Sequence, residues 1–324
     1  MKASLPLFLL VGSLSAGCGS TTEPTTPAYE TKALAVSGDC AIMRDRTVRC
    51  WDKTGKAVAP VPDLHDVQRL ANFGQPQCAL LGSGAVACWG SKTSVDATRG
   101  ETVERVGPLD VAAAKGALDL VSGGSEGTTC AVLAGGRLAC FGAAWSACTS
   151  GCTLNTPPGC ESGVKQAISA GGDTAVLRTD GGVHASCNAP ADPLGPAVAF
   201  AAGLSHRCAI GADGTLTCHG LDRGQLGRPV LTKDAPRTVV LSEIGAVAEV
   251  VSAMHETCAR TVSGDVWCFG VTSSTGVRRD PARIEGLGKV AAISMNLWAT
   301  SVLDVDGGVT SWTTFDPTPT KVRF

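Results

Sequence analysis

Residues 203–220 read GLSHRCAIGADGTLTCHG, two short apolar runs around a tight turn. Cys208, Ala209 and Ile210 belong to the first run and Leu216 to Cys218 to the second, with Asp213 and Gly214 between them. Asp-Gly between apolar runs is a hairpin signal, because glycine takes the left-handed conformation without steric cost. The frame recurs along the chain at Cys40/Cys50, Cys78/Cys88, Cys130/Cys140 and Cys258/Cys268. Two further segments keep the frame without its cysteines, at Ala175/Ala185 and Ser301/Ser311. Seven units at a mean spacing of about 43 residues suit the four-stranded blades of a propeller.

Flanking segments supply the remaining strands. Leu34–Gly38, Leu118–Gly124, Val198–Gly203 and Val250–Met254 precede their hairpins as apolar runs ending in small residues. Pro236–Val239, Pro281–Ile284 and Pro319–Val322 follow as outer strands, an edge where proline is tolerated. The expected fold is all-β: a single seven-bladed β-propeller of four-stranded blades over residues 31–324, with blade-internal disulfides.

Composition agrees. The chain has 324 residues, 40 of them glycine, and only 17% are charged. Lysine and arginine number 27 against 29 acids, so no basic surface is available to wrap a phosphate backbone, and a nucleic-acid partner is not expected. The first residues carry a compartment signal. Lys2 gives a positive start, Leu5 to Leu14 a short apolar stretch, and Ser15 to Gly17 a small-residue cleavage site. The stretch is too short to span a bilayer as a helix. Leu14 to Cys18 resembles a bacterial lipobox, although its Leu is four residues before the Cys rather than three. The resemblance implies a signal peptide at 1–17, a lipid-modified Cys18, and a tether over the Thr- and Pro-rich residues 18–30. Gly19 in place of Asp implies an outer-membrane or cell-surface location.

The repeat units themselves resemble those of the regulator-of-chromosome-condensation family of seven-bladed propellers. The unit at Gly203, His206, Cys208, Asp213, Gly214, Cys218 and Gly220, followed by Gly224, Gln225, Leu226 and Gly227, carries the likeness. The resemblance implies the fold over about nine tenths of the chain and says little of function. Nuclear members act as exchange factors or chromatin binders, roles closed to an exported lipoprotein. Some secreted bacterial relatives inhibit an enzyme by covering its active site with one face.

Once Cys18 is assigned to lipid, fourteen cysteines remain, an even number. The fourth and seventh units lose both cysteines together, as a covalent partnership predicts. Facing residues of a hairpin lie close enough for a disulfide, so Cys40–Cys50, Cys78–Cys88, Cys130–Cys140, Cys208–Cys218 and Cys258–Cys268 are expected. Cys148, Cys152 and Cys160, in a Cys-rich insert at about 143–163, with Cys187, admit three connectivities. A thiolate metal site there is the less favoured reading.

Catalytic patterns are weak. The stretch 123–127, GGSEG, spells a nucleophile elbow but has no helix behind it. The stretch 304–312, DVDGGVTSW, coincides with a repeat hairpin and lacks the spacing of a calcium loop. His255 and Glu256 lack a second histidine at metalloprotease spacing. No cofactor and no metal site are implied. Trp51, Trp89, Phe141, Phe269 and Trp312 share one repeat position, which points to packing between blades.

These observations favour a non-catalytic, monomeric binding module anchored to the membrane by lipid alone. An inhibitor of a secreted enzyme and a propeller hydrolase or lyase are the alternatives. The residue before each hairpin anchor is expected on one rim: Asp39, Gln77, Thr129, Thr174, Arg207, Thr257 and Thr300. Aromatic and arginine anchors dominate interfaces, so His206, Arg207, His255, Glu256 and Trp298 mark the expected docking site, over blades five to seven, for a protein or glycan.

Overall fold

The computed structural model describes residues 32–324 except 53, 58–60, 62, 72–76, 97–99, 123–128, 142–155, 171–172, 222, 230–234, 272–277, 297–298 and 314–317, and for 91–106 it gives backbone only. Cys18, the signal and tether segments, Cys148, Cys152 and Trp298 therefore lie outside the described residues.

Alternating apolar residues build seven antiparallel sheets, each from contiguous chain. Blade 1 holds β1 (Ala33–Ser37), β2 (Cys40–Met43) and β3 (Val48–Cys50). Blade 2 holds β4 (Val67–Ala71), β5 (Gln77–Leu81), β6 (Val86–Asp96) and β7 (Gly100–Asp110). Blade 3 has β8 (Asp119–Ser122), β9 (Thr129–Leu133) and β10 (Arg137–Phe141), and blade 4 has β11 (Val164–Ala170), β12 (Asp173–Arg178) and β13 (Val183–His184). Blade 5 contains β14 (Ala197–Ala202), β15 (His206–Gly211), β16 (Leu216–Leu221) and β17 (Pro236–Val240). Blade 6 contains β18 (Val247–Ala253), β19 (Glu256–Thr261), β20 (Val266–Val271) and β21 (Arg278–Arg283). Blade 7 contains β22 (Val290–Met295), β23 (Ala299–Asp304), β24 (Val309–Thr313) and β25 (Thr320–Lys321). Four sheets have four strands and three have three among the described residues.

The Cys-Ala dipeptide explains the packing between blades. Successive strand residues point to opposite faces, so each blade turns its cysteine toward the next blade and its alanine toward the previous one. Cys208 packs with Phe269 of blade 6, whereas Ala209 packs with Leu177 of blade 4. Seven buried clusters result, one at each seam. The aromatic position also fills these seams: Trp51, Trp89, Phe141, Phe269 and Trp312 are all buried.

All five hairpin disulfides form, with Cα atoms 3.9–4.1 Å apart across the second and third strands. Blade 7 replaces the bond by a hydroxyl pair, with Ser301 Oγ 2.9 Å from Ser311 Oγ. Blade 4 moves its disulfide to Cys160–Cys187, Cα atoms 5.3 Å apart. Arg178 holds that staple by donating to the carbonyls of Gly159 at 2.8 Å and Cys187 at 2.7 Å.

Neighbouring strands are antiparallel, which sorts the connections between two faces. The turns from second to third strand and the links between blades lie on one, the turn face. The loops from first to second and third to fourth strand lie on the other, the loop face. On the turn face one hydrogen bond recurs seven times. The carbonyl of a turn residue accepts a backbone N–H at the start of the next blade's inner strand or, in blades 3 and 4, just before it. These pairs are Arg46–Val67, Gly84–Gly116, Gly135–Gly163, Gly181–Ala197, Gly214–Val247, Gly264–Val290 and Gly307–Ala33, all at 2.8–3.1 Å. The turn residue has positive φ in every case, and six of the seven are glycine.

The last pair closes the ring, joining blade 7 to blade 1. The C-terminal residues reinforce it: Arg323 bridges Lys56 in parallel, and Phe324 meets Trp51 edge-on at 6.0 Å. Gly307 has φ 86°, and a Cβ there would stand 3.0 Å from Lys32 Cβ. Gly307→Ala should therefore lower the free energy of unfolding by about 1–2 kcal/mol or more. Arg46→Gly, at the one non-glycine turn, should cost little by comparison. Denaturant titration of both variants checks the pair.

Candidate functional site

The loop face carries the rim expected from sequence, but the rim is built differently. The first-to-second-strand loops are short, only Gly38–Asp39 in blade 1 and Met254–His255 in blade 6. In blades 2 to 7 the residue before the anchor is already in the sheet, whereas Asp39 of blade 1 stays in the loop. Thr129, Thr257 and Thr300 pair with Phe141, Phe269 and Trp312 and are buried. These threonines support the seams from below the surface.

The five expected docking residues separate in the same way. His206 opens β15 and is fully buried. Its Nε2 lies 2.8 Å from Thr257 Oγ1 of blade 6, and Thr257 Oγ1 lies 2.8 Å from Ser252 Oγ. His206 Nδ1 is a buried side-chain atom with no partner. A bare acceptor costs less than a bare N–H donor, so we assign the proton to Nε2, donated to Thr257. His206 thus staples blades 5 and 6 and offers nothing to a partner. Glu256 is buried too. Arg207 is half-buried and clasps Asp192, donating from Nη2 to Oδ1 at 3.0 Å with a second contact through Nε. His255 is half-buried and remains at the surface, its pKa lowered by burial and by the charge of Arg223. The docking site expected over blades five to seven is reduced, among the described residues, to the edges of Arg207 and His255.

A better-formed concavity lies where the ring closes. A pocket of about 200 Å³ opens on the loop face between blades 7 and 1, lined by Asp39, Trp51, Asp52, Asn296, Trp312 and Thr318 among others. Ser311 is also in its wall, at the position a cysteine takes in five other blades. Asp52 is fixed by accepting from the Thr54 hydroxyl at 2.6 Å and the Thr54 and Lys56 amides, which lower its pKa. Two indoles, two carboxylates, an amide and several hydroxyls suit a ligand group with hydrogen-bond donors on a flat or apolar body. Asp39 was legible as a rim residue. The rest was not, although the paired loss of cysteines at Ser301 and Ser311 marked this seam as different.

Down the axis runs a channel of about 300 Å³ lined by the inner strands. Its charged groups come at one repeat position. Asp119 meets Arg69 at 3.2 Å, and Glu249 accepts from Arg260 at 3.0 Å and from the Ile293 amide at 3.1 Å. Burial raises the pKa of both acids against the pull of their arginines. Asp119 of blade 3 is engaged by Arg69 of blade 2 and Glu249 by Arg260 of its own blade 6, so the two carboxylates are not poised beside each other. Among the described residues, no group of three or more His, Cys, Asp or Glu is placed to hold a metal ion, and no helix is long and apolar enough to cross a membrane. The stretch 304–308 is a plain turn, with Asp304 Oδ1 accepting the amides of Asp306 and Gly308 at 2.8 Å.

Comparison with known proteins adds fold and no more. No protein-family model matches the chain, and no curated protein matches it in sequence. Among solved structures, human WBSCR16 is similar with a TM-score of 0.58 and 15% identity, covering 82% of this chain and 86% of that one. The ectodomain of the receptor kinase CR4 from Physcomitrella patens gives 0.52 and 18% identity, covering 86% and 72%. Prp20p from Saccharomyces cerevisiae, a yeast RCC1, covers 90% and 76% at 15% identity with a TM-score of 0.45.

His206 makes the blade 5–6 seam sensitive to acid. Burial, with the nearby His255 and Arg207 charges, pushes its pKa down to about 3, against about 6.5 in an unfolded chain. The unfolded state therefore takes up a proton first as pH falls below about 6.5, and stability is lost down to about pH 3. The contribution is about 2 kcal/mol between pH 6.5 and pH 5. In His206→Gln this part of the acid sensitivity should vanish, which unfolding free energies measured at pH 7 and pH 5 will show.

Proposed function

We propose that the chain is a non-catalytic binding module, tethered to the bacterial envelope through Cys18, that holds a protein partner on its loop face. The observation that carries this reading is the division of labour between the faces. The turn face repeats one hydrogen bond at every seam, so its backbone is committed to holding the ring. The loop face differs from blade to blade. Blade 2 extends it with two 11-residue strands paired from Ala87↔Asp110 to Asp96↔Gly100, blade 4 stops at a two-residue β13, and the 7–1 seam opens into the pocket. An asymmetric partner is recognised by features that do not repeat.

In this reading the seam pocket receives one side chain of the partner, a basic or hydroxyl-bearing group suited to Asp39 and Asp52. Inhibition of a secreted enzyme is one form of such binding. The envelope tether rests on the lipobox-like residues 14–18. Capture from envelope extracts with the purified propeller tests the proposal. A stoichiometric partner should be retained by wild type and by the turn-face variant Val262→Ser, and lost at least tenfold in Thr318→Arg, which places a cation at the pocket mouth. Loss in Val262→Ser with retention in Thr318→Arg would contradict it.

A further inference from the structure

The exposed apolar residues are not scattered. Among the described residues seven large hydrophobic side chains are exposed, and six of them lie on the turn face: Leu34, Leu118, Val198, Val240, Val262 and Val305. Leu204, on the loop face, is the seventh and the least exposed, at 39% against 71% for Val262. Leu34 and Val198 stand one residue into their inner strands and Leu118 just before β8, so the three share one repeat position at the turn-face ends of blades 1, 5 and 3. Val262 and Val305 are at the tips of second-to-third-strand turns, where their amides bond to the carbonyls of Ala246 and Lys289. Exposed lysines accompany them: Lys32 beside Leu34, Lys115 beside Leu118, and Lys165, whose Nζ reaches the Val198 carbonyl at 3.2 Å. Aliphatic tips flanked by lysines are what a lipid interface accepts, since the ammonium stays at headgroup level while its stem lies along apolar surface.

The chain outside the described fold joins it on this same face, at Lys32, immediately before β1. We infer that the turn face lies against the bilayer in which the Cys18 lipid is inserted, leaving the loop face outward for the partner. The inference rests on the tether reading above. Thirteen residues lie between Cys18 and Lys32, and the random-coil reach of a linker that long is about 20 Å. A blade is also roughly 20 Å deep, from six strand residues at about 3.3 Å each. Turning the loop face to the membrane would require the tether to run extended around a blade edge. The turn aspartates Asp45, Asp180, Asp213, Asp265, Asp304 and Asp306 lie on this face among its lysines, Lys289 meeting Asp265 at 3.6 Å, so anionic lipid is not required. The lipid chains supply attachment, and the aliphatic tips set orientation.

Hydroxyl-radical footprinting of the lipidated full chain on phosphatidylcholine vesicles, with soluble Cys18→Ser as reference, tests this. Peptides carrying Leu118, Val262 and Val305 should be protected at least threefold on vesicles, while those carrying Leu204 and Thr320 stay unchanged. In Val262→Ser/Val305→Ser, sedimentation with vesicles should persist and protection at Leu118 should fall. Wild type that does not sediment contradicts the tether, and the inference with it. Wild type that sediments with an unprotected turn face, or a protected loop face, contradicts the inference alone. Protection of the turn face in Cys18→Ser that rises with protein concentration would make a second copy the occupant and overturn the lipid surface.

Discussion

A carbonyl held in a left-handed turn, accepting an amide at the entry to the next blade, is the contact on which the ring depends. It needs a residue that tolerates positive φ. That is why Gly84, Gly135, Gly181, Gly214, Gly264 and Gly307 recur there. Each bond contributes only about 1 kcal/mol net. The geometry matters more, because the bond ties each blade to the next at every one of the seven seams of the ring. Arg46 shows what happens without glycine: its side chain reaches across the seam to Gln68 Oε1 at 3.2 Å and so adds a contact of its own.

Inside each blade the disulfide does a different task. It joins the second and third strands, which carry the seam-facing cysteine, and so stiffens the part of the blade that packs on its neighbour. Short loops of this kind contribute about 2–3 kcal/mol each by restricting the unfolded chain. The two blades without it show two other solutions. Blade 4 ties its truncated end with Cys160–Cys187 and the Arg178 clamp. Blade 7 puts the Ser301–Ser311 hydroxyls where sulfur would be, and polar atoms then reach the wall of the seam pocket. The seam that closes the ring combines a hydroxyl pair with the buried indole of Trp51 and residues 322–324, while Trp312, packed in the blade 6–7 seam, lines its pocket.

The architecture was legible because a covalent pair at fixed spacing is a signal that divergence does not blur. Cys208 and Cys218 give the hairpin, and their five-fold recurrence gives the ring. The surface was less legible. Sequence placed Thr257 on a rim, yet Ser252↔Thr257 is already a ladder pair, because the intervening loop is too short to lift it out. His206 read as an exposed polar residue and is a buried staple, a distinction made by Thr257, 51 positions away. Arg207 was visible as a candidate anchor, but its partner Asp192 comes from the loop of another blade. The pocket at Asp39, Trp51 and Trp312 joins the first and last blades, and no local pattern announces contacts of that range.

The account is tested most directly by native-state hydrogen exchange at the seven seam amides: Ala33, Val67, Gly116, Gly163, Ala197, Val247 and Val290. If the turn carbonyls hold one closed ring, these amides should exchange together, at the slow rate of global opening. Fast exchange at Ala33 while the other six remain protected would show a ring that is open between blades 7 and 1, and would contradict the closure on which the pocket and both faces depend.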